Sequence, residues 1–151
     1  MKLLESFKWA ISGILFAVRT ERNFRIHLVA IVYVLFFSSF YALTKTEYIV
    51  LVILFAGVTA MEMVNTAVEH VVDLIRKKQH VDAKIAKDVS AGAVLIMAIG
   101  AAVIGVFLFW DIAVFKKIAA TVFLNPLYCA AFLLSVGLSV WYVKSAKKEK
   151  E

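Results

Sequence analysis

The chain has 151 residues, 63% of them apolar and 19% charged, with one proline, one cysteine and a formal net charge of +6. So short a chain cannot bury that much apolar surface in a water-soluble core. Disorder is excluded because it needs low hydrophobicity, and a disulfide framework because it needs paired cysteines. An all-α integral membrane protein remains. Its basic excess points to anionic headgroups and phosphates, not to nucleic acid.

At the N-terminus, Leu3, Leu4, Phe7, Ile11, Ile14, Leu15 and Val18 recur at helical spacing, with Lys2, Glu5, Lys8 and Arg19 largely elsewhere around the helix. This predicts an amphipathic helix, either lying in the membrane interface or packed on the bundle. Met1 to Thr20 lacks the compact apolar run and small-residue cleavage site of a secretory signal. A first span is expected over Leu28–Leu43, followed by Thr44 and Glu47 at capping-box spacing. Tyr48–Ile75 forms the second helical run. Arg76–Val81 is a polar connection, and Asp82 is the expected N-cap of a third helix, uncharged from Val89 to Trp110. The last uncharged stretch, Ile118–Val143, contains Asn125-Pro126. There the helix either kinks, or it begins with Asn125 as cap and Pro126 in the first turn.

About 20 apolar residues cross the hydrocarbon core, so the pattern gives four crossings. Residues 1–27, 76–88 and 144–151 hold 14 of the 17 Lys and Arg, whereas the connections 44–47 and 111–118 hold three. That bias puts both termini in the cytoplasm. Trp9, Trp110 and Trp141 are expected as interface anchors, and Cys129 as a small packing residue. His27, His70 and His80 lack zinc-ligand spacing and are expected in solvent or beside other functional groups.

The second helix carries Glu62, Asn65, Glu69 and Asp73, which share one face within an arc of about 80°. Carboxyls on a membrane helix are costly unless partnered, so Glu62 and Glu69 read as functional, while Asp73 can equally be structural. Two further clusters belong at the same cytoplasmic level: Arg19, Glu21, Arg22, Asn23 and Arg25 before the first span, and Lys84, Lys87 and Asp88 in the third helix. Carboxylates facing cations are the ingredients for a magnesium nucleotide, since Mg²⁺ takes a few carboxylates plus phosphate oxygens. A carboxylate beside a hydroxyl can take its proton. No phosphate-binding GxxxxGK[ST] loop, kinase-type glycine loop or HRD motif is present.

Glu62-Met-Val-Asn65-Thr-Ala-Val-Glu69-His-Val-Val-Asp73 resembles the ExxNxAxExxxD signature of the prokaryotic diacylglycerol kinase family. Ala86-Lys87-Asp88 followed by Ser90-Ala91-Gly92-Ala93 is similar to that family's second motif. Thr20-Glu21-Arg22-Asn23-Phe24-Arg25-Ile26-His27 resembles the segment before its first span, in the form of the Gram-positive undecaprenol kinases. The resemblance covers about residues 5–110. It implies a homotrimer of three-span subunits with an interfacial N-terminal helix and active sites shared between neighbours. It further implies Glu62 as general base at a lipid hydroxyl and Glu21 and Glu69 as holders of Mg²⁺ at the ATP phosphates. Asn65 would assist positioning, and Lys87 and Asp88 would contact nucleotide. The implied activity is ATP-dependent phosphorylation of a membrane lipid alcohol at the cytoplasmic face of a bacterial plasma membrane, with undecaprenol ahead of diacylglycerol as acceptor.

The chain departs from the family after the third span. Residues 1–110 form the kinase-like unit, and 111–151 add a C-terminal extension with the fourth helix and a basic tail. Small residues Ala98, Ala101, Ala102 and Gly105 would let the third helix approach a neighbour closely. Two other readings stand beside the enzyme: a small proton or cation channel or transporter using Glu62 and Glu69, and a bundle partner whose acids only hold helices together.

Overall fold

The computed structural model describes residues 2–75 and 81–146, and the described residues are helical with short connections. In chain order the helices are α1 (Lys2–Thr20), α2 (Arg22–Ser38), α3 (Lys45–Ile75), α4 (Val81–Phe109), α5 (Ile112–Phe123) and α6 (Pro126–Lys144). Helices α3, α4 and α6 are long and apolar enough to cross a membrane. With 17 residues, α2 rises about 26 Å, at the lower limit for crossing a bilayer.

The expected first span is shifted. It ends at Ser38, not Leu43, because the hydroxyls of Ser38 and Ser39 turn back onto the carbonyls of Leu35 (2.8 Å) and Phe36 (2.7 Å). Such local bonds compete with helix continuation. The next helix opens on the anticipated capping box. Glu47 Oε2 accepts from the Thr44 amide at 2.6 Å and from its hydroxyl at 2.7 Å, and the Glu47 amide donates back to Thr44 Oγ1 at 3.3 Å.

Asp82 was expected as an N-cap, but α4 already includes Val81, so Asp82 lies in its first turn. There its charge still favours the positive end of the helix. The connecting residues 76–80, His80 among them, lie outside the described residues. The expected connection 111–118 is itself mostly helical, because Asp111 caps α5 by accepting from the amides of Ala113 (2.8 Å) and Val114 (3.2 Å). At Asn125-Pro126 the helix begins instead of kinking. Asn125 Oδ1 accepts from the Leu127 amide at 3.0 Å, and Pro126 takes the first helical position, where no amide is needed.

Helices α3 and α4 form an antiparallel pair, in which Asp73 meets Lys87, Asn65 meets Ser90 and Gly57 faces Met97. The space beside Gly57 is filled by the flexible end of the Met97 side chain from α4. Helix α2 lies against α3 on one side and α6 on the other. A wide apolar groove of about 1030 Å³ runs between α2, α5 and α6. Tyr33 crosses between α2 and α6, its hydroxyl 3.0 Å from Ser135 Oγ and 3.3 Å from Ser139 Oγ.

The C-terminal part of α1 docks through buried Ala17 and through Phe16, whose ring meets His70 edge-on at 5.3 Å. Leu3, Leu4, Phe7, Ile11, Ile14 and Leu15 stay exposed. Packing on the bundle therefore accounts for the end of α1, and its apolar face is left free to lie in lipid. Trp9, Trp110 and Trp141 are exposed, as lipid-facing anchors would be.

Candidate functional site

The buried face of α3 changes character along its length. Leu51, Leu54 and Val58 bury its first part, and Glu62, Asn65 and Thr66 continue the same buried strip. The helix rises about 46 Å, some 16 Å more than the hydrocarbon core. If the apolar part fills the core, Glu62 falls at its inner edge and Glu69 and Asp73 lie in the headgroup region. No polar route continues along the Leu51–Val58 face, which argues against ion conduction by this strip.

Glu62 is 4% exposed. It lies in a cavity of about 290 Å³ between α2, α3 and α4, with Asn23, His27, Asn65, Ala91 and Val94 among its walls. Its Oε1 is 3.2 Å from His27 Nε2, and its backbone carbonyl accepts from Thr66 Oγ1 at 3.0 Å. One helical turn on, Asn65 Nδ2 donates to Glu69 Oε1 at 3.0 Å. The Ser90 hydroxyl of α4 reaches Asn65 Oδ1 at 2.7 Å, with the Lys87 carbonyl 2.9 Å away as alternative acceptor. Glu62, Asn65 and Glu69 are thus ordered in a line, with Asn65 braced from α4. Asp73, at the exposed end of the strip, forms an ion pair with Lys87 Nζ at 2.6 Å.

The other named residues sit at the edges. Glu21 is the N-cap residue of α2, yet its carboxylate makes no capping bond. Among the described residues its carboxylate accepts a long 3.4 Å bond from Thr20 Oγ1. Lys84 and Asp88 are exposed on α4. Ala98 lines the cavity, while Gly105 faces open space.

Arg25 does not join the expected phosphate-handling cluster. It is 7% exposed and spends its guanidinium on the ends of two helices. Nε donates to the Val18 carbonyl (2.6 Å), Nη2 to Arg19 (2.8 Å), and Nη1 to the Tyr142 carbonyl (2.6 Å) and Ser145 Oγ (3.0 Å). Its charge also lies 4.7 Å from the centre of the Tyr142 ring. A cation at carbonyls left open by helix C-termini is favourable on both counts. Sequence reasoning gave Ser90 no bonding role and left His27 between solvent and a place beside other functional groups; the structure brings His27 to Glu62. Asn23 and His27, one turn apart on α2, were the available signal: a second polar pair at i, i+4 entering an apolar helix.

Among the described residues no three His, Cys, Asp or Glu side chains converge on a point that could hold a resident metal ion. Mg²⁺ needs only one or two carboxylates when phosphates and water complete its octahedron.

The family model for prokaryotic diacylglycerol kinase matches residues 8–109. An undecaprenol kinase from Bacillus subtilis (strain 168) is 41% identical over 108 residues, covering 72% of this chain and 88% of that protein. A diacylglycerol kinase from Synechocystis sp. is 44% identical over 104 residues, covering 68% of this chain and 59% of that protein. No solved structure gives a significant match. Helices α5 and α6 lie beyond the family match. From residue 8 to residue 109 the chain carries the family's sequence on a bundle with span-length helices, and it belongs to the prokaryotic diacylglycerol kinase family of membrane lipid kinases.

Proposed function

We propose that the chain transfers the terminal phosphoryl group of ATP to the primary hydroxyl of undecaprenol, giving undecaprenyl phosphate. The observation that carries this reading is the buried Glu62 carboxylate in a small cavity at the inner end of an apolar strip. A long-chain alcohol held by lipid presents its hydroxyl at that depth. Glu62 accepts the hydroxyl proton as the hydroxyl oxygen bonds to the terminal phosphorus and ADP leaves. Removing that proton makes the oxygen a better nucleophile, and a positioned carboxylate is the group to take it. Asn65, braced by Ser90, holds Glu69 in line, and Lys87 and Asp88 contact the nucleotide from α4.

Mg²⁺ held between Glu69, Glu21 and the phosphates would neutralise charge on the transferring group. Replacing Glu69 or Glu21 with glutamine removes a hard oxygen anion. Each variant is expected to need several-fold more Mg²⁺ for half-maximal rate, as a magnesium titration at fixed ATP measures. An unchanged requirement in both would overturn the metal assignment while leaving the kinase reading intact.

In this reading the site faces the cytoplasm, where ATP is available and the positive-inside bias places Arg22, Lys84 and Lys87. The working form is a homotrimer with sites completed by neighbouring subunits. The face of α4 around Gly100 and Gly105, open within one chain, suits such close helix contact. Residues 1–110 make the catalytic unit and 111–151 an appended brace.

A second acceptor, diacylglycerol, is favoured by the likeness to the Synechocystis protein. Offering undecaprenol and diacylglycerol separately in mixed micelles with labelled ATP decides between them. Undecaprenol is expected to give the higher kcat/KM, and the reverse order would make diacylglycerol the substrate.

A further inference from the structure

We propose that His27 is a positioning residue that holds the Glu62 carboxylate in its reactive orientation. The proposal rests on the reading of Glu62 as the base, and deepens it by naming what keeps a buried carboxylate usable.

A carboxylate almost without solvent contact is unfavourable unless a donor meets it. Among the described residues, His27 is the side chain within hydrogen-bonding distance of that carboxylate, at Oε1. An ionised carboxylate only accepts, so the imidazole donates from Nε2. That bond takes one carboxylate oxygen and leaves Oε2 for the incoming hydroxyl. It also fixes the side chain's terminal torsion, which is otherwise broad.

The surroundings make this role specific. The α4 wall of the cavity is Ala91, Val94, Leu95 and Ala98, which offers no donor side chain. From α3, Asn65 is committed to Glu69 and Ser90. The imidazole is itself only 21% exposed, so water competes weakly for the bond. Its ring stands on α2, whose start is fixed by Arg25 and whose far side is braced by α6. Movement of α2 would therefore carry the donor away from the base.

The test uses the full-length protein in mixed micelles with the lipid alcohol that serves as acceptor. His27→Leu keeps the volume and removes the donor; His27→Gln restores an N–H near the position of Nε2. Loss of alignment at a reacting group costs about 10- to 100-fold. His27→Leu is expected to lower kcat by that factor with KM for ATP unchanged, and His27→Gln to recover most of the loss. In a Glu62→Gln background, His27→Leu should change nothing further, because no carboxylate remains to be aligned.

Wild-type kcat in His27→Leu would overturn the proposal. So would equal losses in the leucine and glutamine variants, or a raised KM for ATP, either of which marks a merely structural role. Full activity of Glu62→Gln would instead remove the base reading, and the proposal with it. Melting temperature in detergent is expected to fall in His27→Leu, which leaves the buried carboxylate without its donor, and to return towards wild type in His27→Gln; a His27→Gln protein as stable as wild type but as slow as His27→Leu would also count against positioning.

Discussion

Glu62→Gln is expected to reduce phosphoryl transfer by about 10²- to 10⁴-fold, the usual contribution of a positioned general base. Glutamine matches glutamate in shape, and its amide oxygen can still accept the His27 bond seen at 3.2 Å. What it loses is the ability to take the hydroxyl proton. The variant relieves the burial of a charge at a 4% exposed position, so assembly should be kept and thermal stability should equal or exceed wild type. Initial rates of lipid labelling, read beside size and melting temperature in the same detergent, check both halves. Near-wild-type turnover would take Glu62 out of the base role.

Arg25→Leu is expected to produce the largest stability loss. Four hydrogen bonds from a buried cation disappear, and the ends of α1 and α6 lose their shared donor. Bonds to charged groups contribute about 1.5–3 kcal/mol each and are not additive, so a net loss of about 3 kcal/mol or more is expected. The melting temperature should fall, and proteolysis near residue 145 should accelerate as α6 loosens from α2. Glu21 stands on the elbow that Arg25 ties to α1, so a higher magnesium requirement should accompany the loss. Truncation after Trp110 should be milder for catalysis, because the proposed site residues precede the cut. It still leaves Arg25 Nη1 without the Tyr142 and Ser145 acceptors. Unchanged melting temperature in Arg25→Leu would show that water replaces the guanidinium at these carbonyls.

The parts legible in advance were those governed by local periodicity. Glu62, Asn65 and Glu69 fall on one face because helix geometry leaves no other arrangement at those spacings, and Thr44 and Glu47 cap α3 through bonds confined to four residues. The missed parts depend on partners distant in sequence. Arg25 reads as one more cation near phosphates until α6 folds back and sets the Tyr142 carbonyl against it, 117 residues away. His27 reads as a residue either in solvent or beside other functional groups, and only the packing of α2 on α3 decides between them by bringing it to Glu62. The end of α2 was misplaced because serines at positions 38 and 39 turn their hydroxyls onto the helix backbone, an outcome that apolar span length does not reveal. Asp111 shows the converse: its capping of α5 is local, but the positive charges of Lys116 and Lys117 made that segment read as a loop.

Transfer of labelled phosphate from ATP to a lipid alcohol by the purified, full-length chain tests the central claim most directly. Magnesium-dependent label in undecaprenyl phosphate, or in phosphatidic acid when diacylglycerol is supplied, is the predicted result. Label that stays in ATP or appears only as inorganic phosphate with both alcohols present would contradict it.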